Sequence, residues 1–222
     1  MADSLAIKRN LQAIRQRIDA AADRADRNPA SVTLVAVTKY VGIDEIRTLQ
    51  DLGVQHFGEN RTDTARTKIE ALDGPVQWHM IGNIQRRKAK DVAECFQWAD
   101  AVDRSALADA LENRCSQAGR TLKTLVEVNV SGEASKHGVG PDDAAALLDH
   151  VRHSEHLEAC GLMTMAPYDA PEPELRGYFR RLKALADVLT VPECSMGMTD
   201  DFEIAIEEGS TQVRIGRALF ES

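Results

Sequence analysis

"TLVAVTKY", residues 33–40, decides how the rest of the chain reads. Leu34, Val35, Ala36 and Val37 form a short apolar run with a threonine on either side. That is the pattern of a strand covered on both faces, as in a parallel sheet. The run ends on Lys39, so a buried strand delivers an amine. A strand of this kind needs neighbours, and the chain supplies seven more strand-like pieces. They are "VQHF" (54–57), "VQWHMI" (76–81), "FQWADAV" (96–102), "LKTLVEVNV" (122–130), "LEACGLM" (157–163), "VPECS" (191–195) and "TQVRIG" (211–216).

Seven helix-like segments separate them. Ile43, Ile46 and Leu49 share a face, as do Leu107 and Leu111, and as do Leu175, Phe179, Leu182 and Leu185. "DDFEIAIEEG" closes on Gly209, a helix stop. Eight βα repeats predict a closed parallel (β/α)8 barrel. The rival is an open doubly wound sheet, but no glycine-rich dinucleotide fingerprint follows the first strand. The 222 residues are fewer than the ~250 typical of such barrels, so the loops must be short. No linker or low-complexity tract divides the chain, and one domain is expected over 1–222. Ahead of the first strand, Ile7, Leu11, Ile14 and Ile18 form one apolar stripe, the mark of an extra, docked N-terminal helix.

Composition excludes several functions. The net charge of -8 argues against a broad nucleic-acid surface. "RRKAK" (86–90) has no interleaved aromatics and reads as a solvated helix face. Cys95, Cys115, Cys160 and Cys194 lie far apart with no CxxC, so neither zinc nor a disulfide framework is signalled. His150, His153 and His156 do not share one helical face and read as the cationic end of a helix. The N-terminus is polar, with Asp3, Asp19, Asp23 and Asp26 among its arginines, which fits neither a signal peptide nor a presequence. No run approaches the ~18 apolar residues of a membrane span. A reduced, cytoplasmic protein is expected.

In a parallel barrel the C-terminal strand ends share one mouth, and sites form there. Read in order, those ends carry Lys39, "FGEN" (57–60), "HMIGN" (79–83), "DR" (103–104), Asn129, "MTMA" (163–166), "SMGMTDD" (195–201) and "RIG" (214–216). Lys39 either extends to solvent from its strand end or condenses with a carbonyl. Burial in an apolar mouth would favour the free amine that an imine requires. Ser195 and Gly197 read as part of a phosphate cup, or as a plain strand–turn–helix junction whose Asp200 and Asp201 point outward in the first helical turn. Arg214 lies between Val213 and Ile215, so it faces the mouth, needs a buried partner, or is a surface arginine. Glu59 and Asn60 either cap a helix or line the site. His79 is a core residue, a stacking partner or an acid–base group. Lysine, cup and arginine together suit pyridoxal 5'-phosphate (PLP), and a cofactor-free sugar-phosphate aldolase would use the first two.

"LVAVTK", "FGEN", "WHMIGNIQ", "VNVSGEASKHG", "GLMTMA" and "SMGMTDDFEIAIEEGSTQVRIGRALF" together resemble the YggS/PROSC family of pyridoxal-phosphate-binding, PLP homeostasis proteins. The resemblance runs from about residue 7 to Phe220 and implies the barrel of the alanine racemase N-terminal domain. It implies that Lys39 forms the internal aldimine. Ser195 and Gly197 would contact the phosphate, and Gly216 with the backbone of Arg217 would complete the cup. Arg214 would face the pyridine nitrogen, with Asn60 and His79 beside the cofactor. Departures are Arg61 where relatives carry tyrosine, "GNIQ" for "GPLQ", "RR" for the "NK" that follows it, Thr38 for serine, and "MGMTDD" for "MGMSDD". The family holds and distributes PLP without robust catalysis, so PLP and client PLP-dependent enzymes are the expected partners. Alanine racemase takes a second acid–base tyrosine from a C-terminal domain across a dimer. The chain ends at Ser222 without that domain, so a monomer without robust turnover is expected. The alternative is a PLP-dependent amino-acid racemase.

Overall fold

The computed structural model describes residues 3–221, so Met1, Ala2 and Ser222 of the domain expected over 1–222 lie outside the described residues. Eight strands run β1 (Thr33–Val37), β2 (His56–Glu59), β3 (Gln77–Met80), β4 (Trp98–Val102), β5 (Leu122–Glu127), β6 (Leu157–Met163), β7 (Glu193–Met198) and β8 (Gln212–Ile215). All pair in parallel, in chain order, and β8 closes on β1 through Thr33–Gln212 to Ala36–Ile215. The expected (β/α)8 barrel is what the chain forms.

The crossovers are α2 (Ile43–Asp51), α3 (Thr62–Glu70), α4 (Ala89–Cys95), α5 (Ser105–Ala118), α6 (Pro141–Arg152), α7 (Glu172–Val188) and α8 (Phe202–Glu207). The helix after β8, α9 (Arg217–Phe220), is one turn long. The N-terminal helix α1 (Ser4–Arg24) packs against α8, α9 and α2, and so fills the outer ring where its eighth member is short. Its buried stripe is Ile7, Leu11, Ile14 and Ile18, joined by Ala21 and Ala22. Polar contacts fasten the same seam. Asn10 donates to the Glu221 carbonyl at 2.7 Å, Arg17 pairs with Glu203 at 2.8 Å, and Arg24 pairs with Glu207 at 2.6 Å.

Alternation along the strands divides the core in two. Ala36, Phe57, Trp78, Ala99, Val213 and Ile215 face the helices. Trp98, Leu125, Cys160 and Met163 cluster on the axis. Two strands run past the ends read from the sequence. β2 continues through Gly58 to Glu59, because the crowded axis accepts a glycine there: an added Cβ would lie 3.1 Å from Ile81 Cδ1. β7 continues through Gly197 to Met198.

The three histidines end in separate partnerships: His150 with Asp109 at 2.7 Å, His153 with the Asp149 carbonyl at 2.6 Å, and His156 with Glu112 at 2.9 Å. In "RRKAK", Lys88 and Lys90 pair with Asp91 and Glu94 on the surface. The four cysteines are free thiols. Among the described residues no helix is long and apolar enough to cross a membrane.

Candidate functional site

Barrel interiors of this class are usually filled by branched apolar side chains. This one is not. His56, His79, Asp100, Glu127, Ser195 and Arg214 occupy inward positions, and His79, Glu127, Ser195 and Arg214 are each flanked in sequence by residues that face the helices.

One inward group is a chain across β2, β3 and β4. His79 Nδ1 lies 3.0 Å from Asp100 Oδ2, and His79 Nε2 lies 2.9 Å from His56 Nδ1. The His79 ring stacks on Trp98 with centroids 4.9 Å apart, and Lys123 Nζ sits 5.0 Å from the Trp98 centroid. Burial first, and then the neighbouring His79 and Lys123, push His56 down to about 4, against the pull of Asp100. His79 is fully buried with both ring nitrogens engaged.

The second inward group is built around Arg214. Its guanidinium donates to Ser195 Oγ at 2.7 Å and to the Thr164 carbonyl at 2.9 Å. Thr164 in turn donates to the Val128 carbonyl at 2.7 Å. Among the described residues no carboxylate is in ion-pair contact with this arginine. Burial pulls its affinity for the proton down, and Asp100, Asp201 and Glu127 oppose that from a distance.

At the rim, β1 stops at Val37 and Lys39 lies in the turn beyond it. The sequence left this amine open between solvent and a buried apolar mouth, and Lys39 is exposed, its Nζ 5.0 Å from the centroid of the exposed Tyr40 ring. What is buried is the peptide before it. Lys68 reaches from α3 to donate to the Thr38 carbonyl at 2.7 Å and pairs with Glu59 at 2.8 Å. Thr38 Oγ1 donates to the same Glu59 oxygen at 2.7 Å. The turn that carries the amine is therefore anchored from beneath, although no strand holds it. Glu59 belongs to this anchor and neither caps a helix nor lines the mouth.

Gly216 ends β8 against β1: a Cβ built on it would lie 3.4 Å from Val37 Cβ, an ordinary contact. Arg217 opens α9, with its side chain turned outward to Asp200 at 2.7 Å. Asp200 points outward as expected. Asp201 does not. It sits ahead of α8 and turns back to accept from the Met198 N–H at 2.5 Å, and burial pushes its carboxyl up. Gly197 has φ +93°, and a Cβ there would lie 2.6 Å from Ala205 Cβ, so β7 approaches α8 closely at this point.

Asn60 follows β2 and lines a cleft of about 250 Å³ with Arg61, Asn83, Gln85, Arg87 and Lys88. Arg61 is committed to Asp63 at 2.9 Å. Asn129, a strand-end residue by sequence, is used in a turn, with Nδ2 on the Glu133 carbonyl at 2.9 Å.

Thus Lys39, Gly216, Arg217 and Asn60 lie at the rim, Ser195 and Arg214 beneath it, and His79 in the interior chain. Sequence reasoning passed over Asp100 and Glu127, and it named Thr164 only as part of the strand end "MTMA". The first two carry the signal that singled out Arg214, a charge set between apolar residues of a strand.

The residues suit an anionic aldehyde cofactor on two observations. A buried arginine lies beneath the mouth with no carboxylate against it. An accessible amine follows β1, and Gly216, which keeps only ordinary contacts to Val37, follows the neighbouring strand β8. Comparison with known proteins points the same way. The family "Alanine racemase, N-terminal domain" matches residues 9–222. The pyridoxal phosphate homeostasis protein of Pseudomonas aeruginosa is 41% identical over 217 residues, covering 96% of this chain and 94% of that one. A crystal structure of an unknown protein from Bifidobacterium adolescentis superposes with TM-score 0.92 at 33% identity, covering 99% of this chain and 98% of that one. PipY of Synechococcus elongatus, in a structure with PLP bound, superposes with TM-score 0.82 at 32% identity, covering 93% and 99%. With that match along nearly its whole length, the chain belongs to the alanine racemase N-terminal domain family and, within it, to the pyridoxal phosphate homeostasis (YggS/PROSC) proteins.

Proposed function

We propose that this chain binds PLP at the C-terminal mouth of a single domain, bonds it through Lys39, and holds it for client PLP-dependent enzymes without robust turnover of its own. The observation that carries the reading is the pairing of an exposed, anchored Lys39 with the buried Arg214 beneath the same mouth. Once bound, the cofactor supplies an aldehyde for an amine and a ring able to withdraw electrons.

Each residue of the chain then has a task. Lys39 would hold the cofactor through its amine, for which the group supplies an aldehyde. Lys68 and Glu59 fix the Thr38 peptide and hence the turn from which the amine projects. Gly216 presents no side chain against close approach by an anion, and the backbone of Arg217 would complete the cup. Gly197 brings β7 tight against α8 to shape the opposite lip of this cup. Ser195 acts through Arg214, whose position it fixes. Arg214 would keep a positive charge near the cofactor's ring nitrogen and so disfavour its protonation, which would leave the electron sink weak. Asn60 lines the mouth beside them.

A racemase would need a second proton carrier facing the ligand. His79 is a poor source, because both ring nitrogens are occupied inside the barrel. A protein with this mouth open to solvent works as a monomeric, cytoplasmic carrier.

The test is spectroscopic and covalent. PLP should give a new absorption band, and borohydride should fix one cofactor mass on the peptide that holds Lys39. Pyridoxal without phosphate should bind at least tenfold more weakly. Amino acids in deuterated water should show α-deuterium exchange far below ~1 s⁻¹, the low end of ordinary turnover. An adduct on another lysine overturns the site. Sustained exchange at enzyme rates that is lost in His79→Ala replaces the carrier with a racemase.

A further inference from the structure

The wall of the mouth facing Lys39 carries an acid that the reading above leaves unused. In an eight-strand ring β5 lies opposite β1, and Glu127 is the last residue of β5. Its neighbours Val126 and Val128 pack against the helices, so Glu127 faces the axis. It is 2% exposed, and its Oε2 has no hydrogen-bond partner among the described residues. A buried polar oxygen without a partner is costly, and native structures hold few of them.

The backbone around it is fixed by a strap. Val139 N–H donates to the Glu127 carbonyl at 2.9 Å, and Asn129 N–H donates to the Val139 carbonyl at 2.8 Å. The strap holds the strand end rigidly while leaving the carboxyl unsatisfied.

We propose that Glu127 is a ligand-facing acid of this mouth, whose carboxyl O–H donates a hydrogen bond to an acceptor atom of the bound cofactor from the side opposite Lys39. The inference rests on the reading that PLP occupies the mouth. The groups facing Glu127 are Asp103 from the turn after β4, His137 from the strap, and Arg214 from β8. Burial, the largest effect, and then Asp103 push its carboxyl up to about 7, while His137 and Arg214 pull the other way. Near neutrality the acid is therefore poised to carry its proton. A phosphate-bearing anion in the mouth repels the carboxylate and favours the neutral form further, so ligand binding draws a proton onto Glu127. Only the protonated carboxyl has a donor to offer.

The experiment compares wild type with Glu127→Gln, which keeps the shape and a donor but cannot titrate, and with Glu127→Ala. Infrared spectra of the ligand-free protein at pH 6 should contain a protonated-carboxyl band that is absent from Glu127→Gln. PLP added in weakly buffered solution at pH 7.5 should draw more protons onto wild type than onto Glu127→Gln. Wild-type affinity should fall between pH 6 and pH 8.5 by roughly tenfold more than that of Glu127→Gln, the worth of one hydrogen bond. Glu127→Ala should bind weakly at both pH values. Equal proton uptake and equal pH slopes in wild type and Glu127→Gln overturn the proposal. Borohydride mapping on the same samples separates the two readings. A wild type labelled at Lys39 with no Glu127 effect overturns the proposal alone, and a wild type that takes up no PLP overturns both.

Discussion

Gly197 and Gly216 stand near the ends of adjacent strands, yet they answer to different demands. At Gly197 the protein itself forbids a side chain: φ is +93°, and an added Cβ would lie 2.6 Å from Ala205 Cβ and 3.0 Å from Phe202 Cα. Gly197→Ala should destabilise the fold by on the order of 2–4 kcal/mol, read from the denaturant midpoint. At Gly216 the nearest atom to an added Cβ is Val37 Cβ at 3.4 Å, and φ is −115°. Gly216→Ala should leave the midpoint within about 0.5 kcal/mol and weaken PLP binding, measured by titration. If Gly216→Ala unfolds the protein and leaves affinity intact, the assignment of this glycine to the ligand is wrong. Lys39→Ala, at an exposed turn, should likewise keep its stability while losing the borohydride adduct.

Among the elements, α3 has a task that its sequence does not announce. Its Lys68 crosses to the end of β1 and shares Glu59 with Thr38. Glu59 is fully buried, and removing its cation leaves a charge without compensation. Lys68→Met should cost about 3–5 kcal/mol, and Glu59→Gln in the same chain should recover part of it, as urea denaturation of the single and double variants will show. This contact marks where sequence reading stops. The eight strands were legible because each is a short apolar run between turn signals, and so was the α1 stripe. Arg214 was legible as a charge inside such a run, and Asp100 and Glu127 carried the same signal unread. Lys68 with Glu59 was not legible, because the pair depends on how α3 docks over β1 and β2. The exposure of Lys39 was one of two readings left open, because the strand was extended one residue too far and so ran up to the amine. Asp201 was missed because its turn folds the carboxylate back onto Met198.

For the molecule as a whole, the polar interior makes stability depend on pH through two opposing groups. His56 is pushed down to about 4 in the fold, so between roughly pH 6.5 and 4 the unfolded chain binds the extra proton and acid destabilises. Glu127 is pushed up to about 7, so between roughly pH 4.5 and 7 the folded chain binds the extra proton and stability falls as pH rises. The slopes oppose each other across the shared window, and wild type should be nearly flat from pH 4.5 to 6.5 on their account. Glu127→Gln should uncover a stability that climbs with pH in that window, and His56→Gln one that declines. Each difference should approach at most about 3 kcal/mol across its window. Thermal melts at half-unit pH steps are the measurement, and parallel profiles for all three proteins would dismiss both groups.

The clasp of α1 on α8 and α9 bears on how the chain is made. Asn10, Arg17 and Arg24 emerge early in synthesis, and their partners Glu221, Glu203 and Glu207 emerge only after the intervening barrel strands β1 to β7. At the usual ribosomal pace of ~5–20 residues per second, α1 waits roughly 10–40 s with its apolar stripe uncovered. Closure of β8 on β1 waits as long. A nascent chain halted before β8 therefore keeps an open sheet edge and a bare amphipathic helix, both attractive to chaperones and to other chains. Exit of β8 and α9, rather than that of any earlier βα unit, should be the moment at which this barrel becomes resistant to protease.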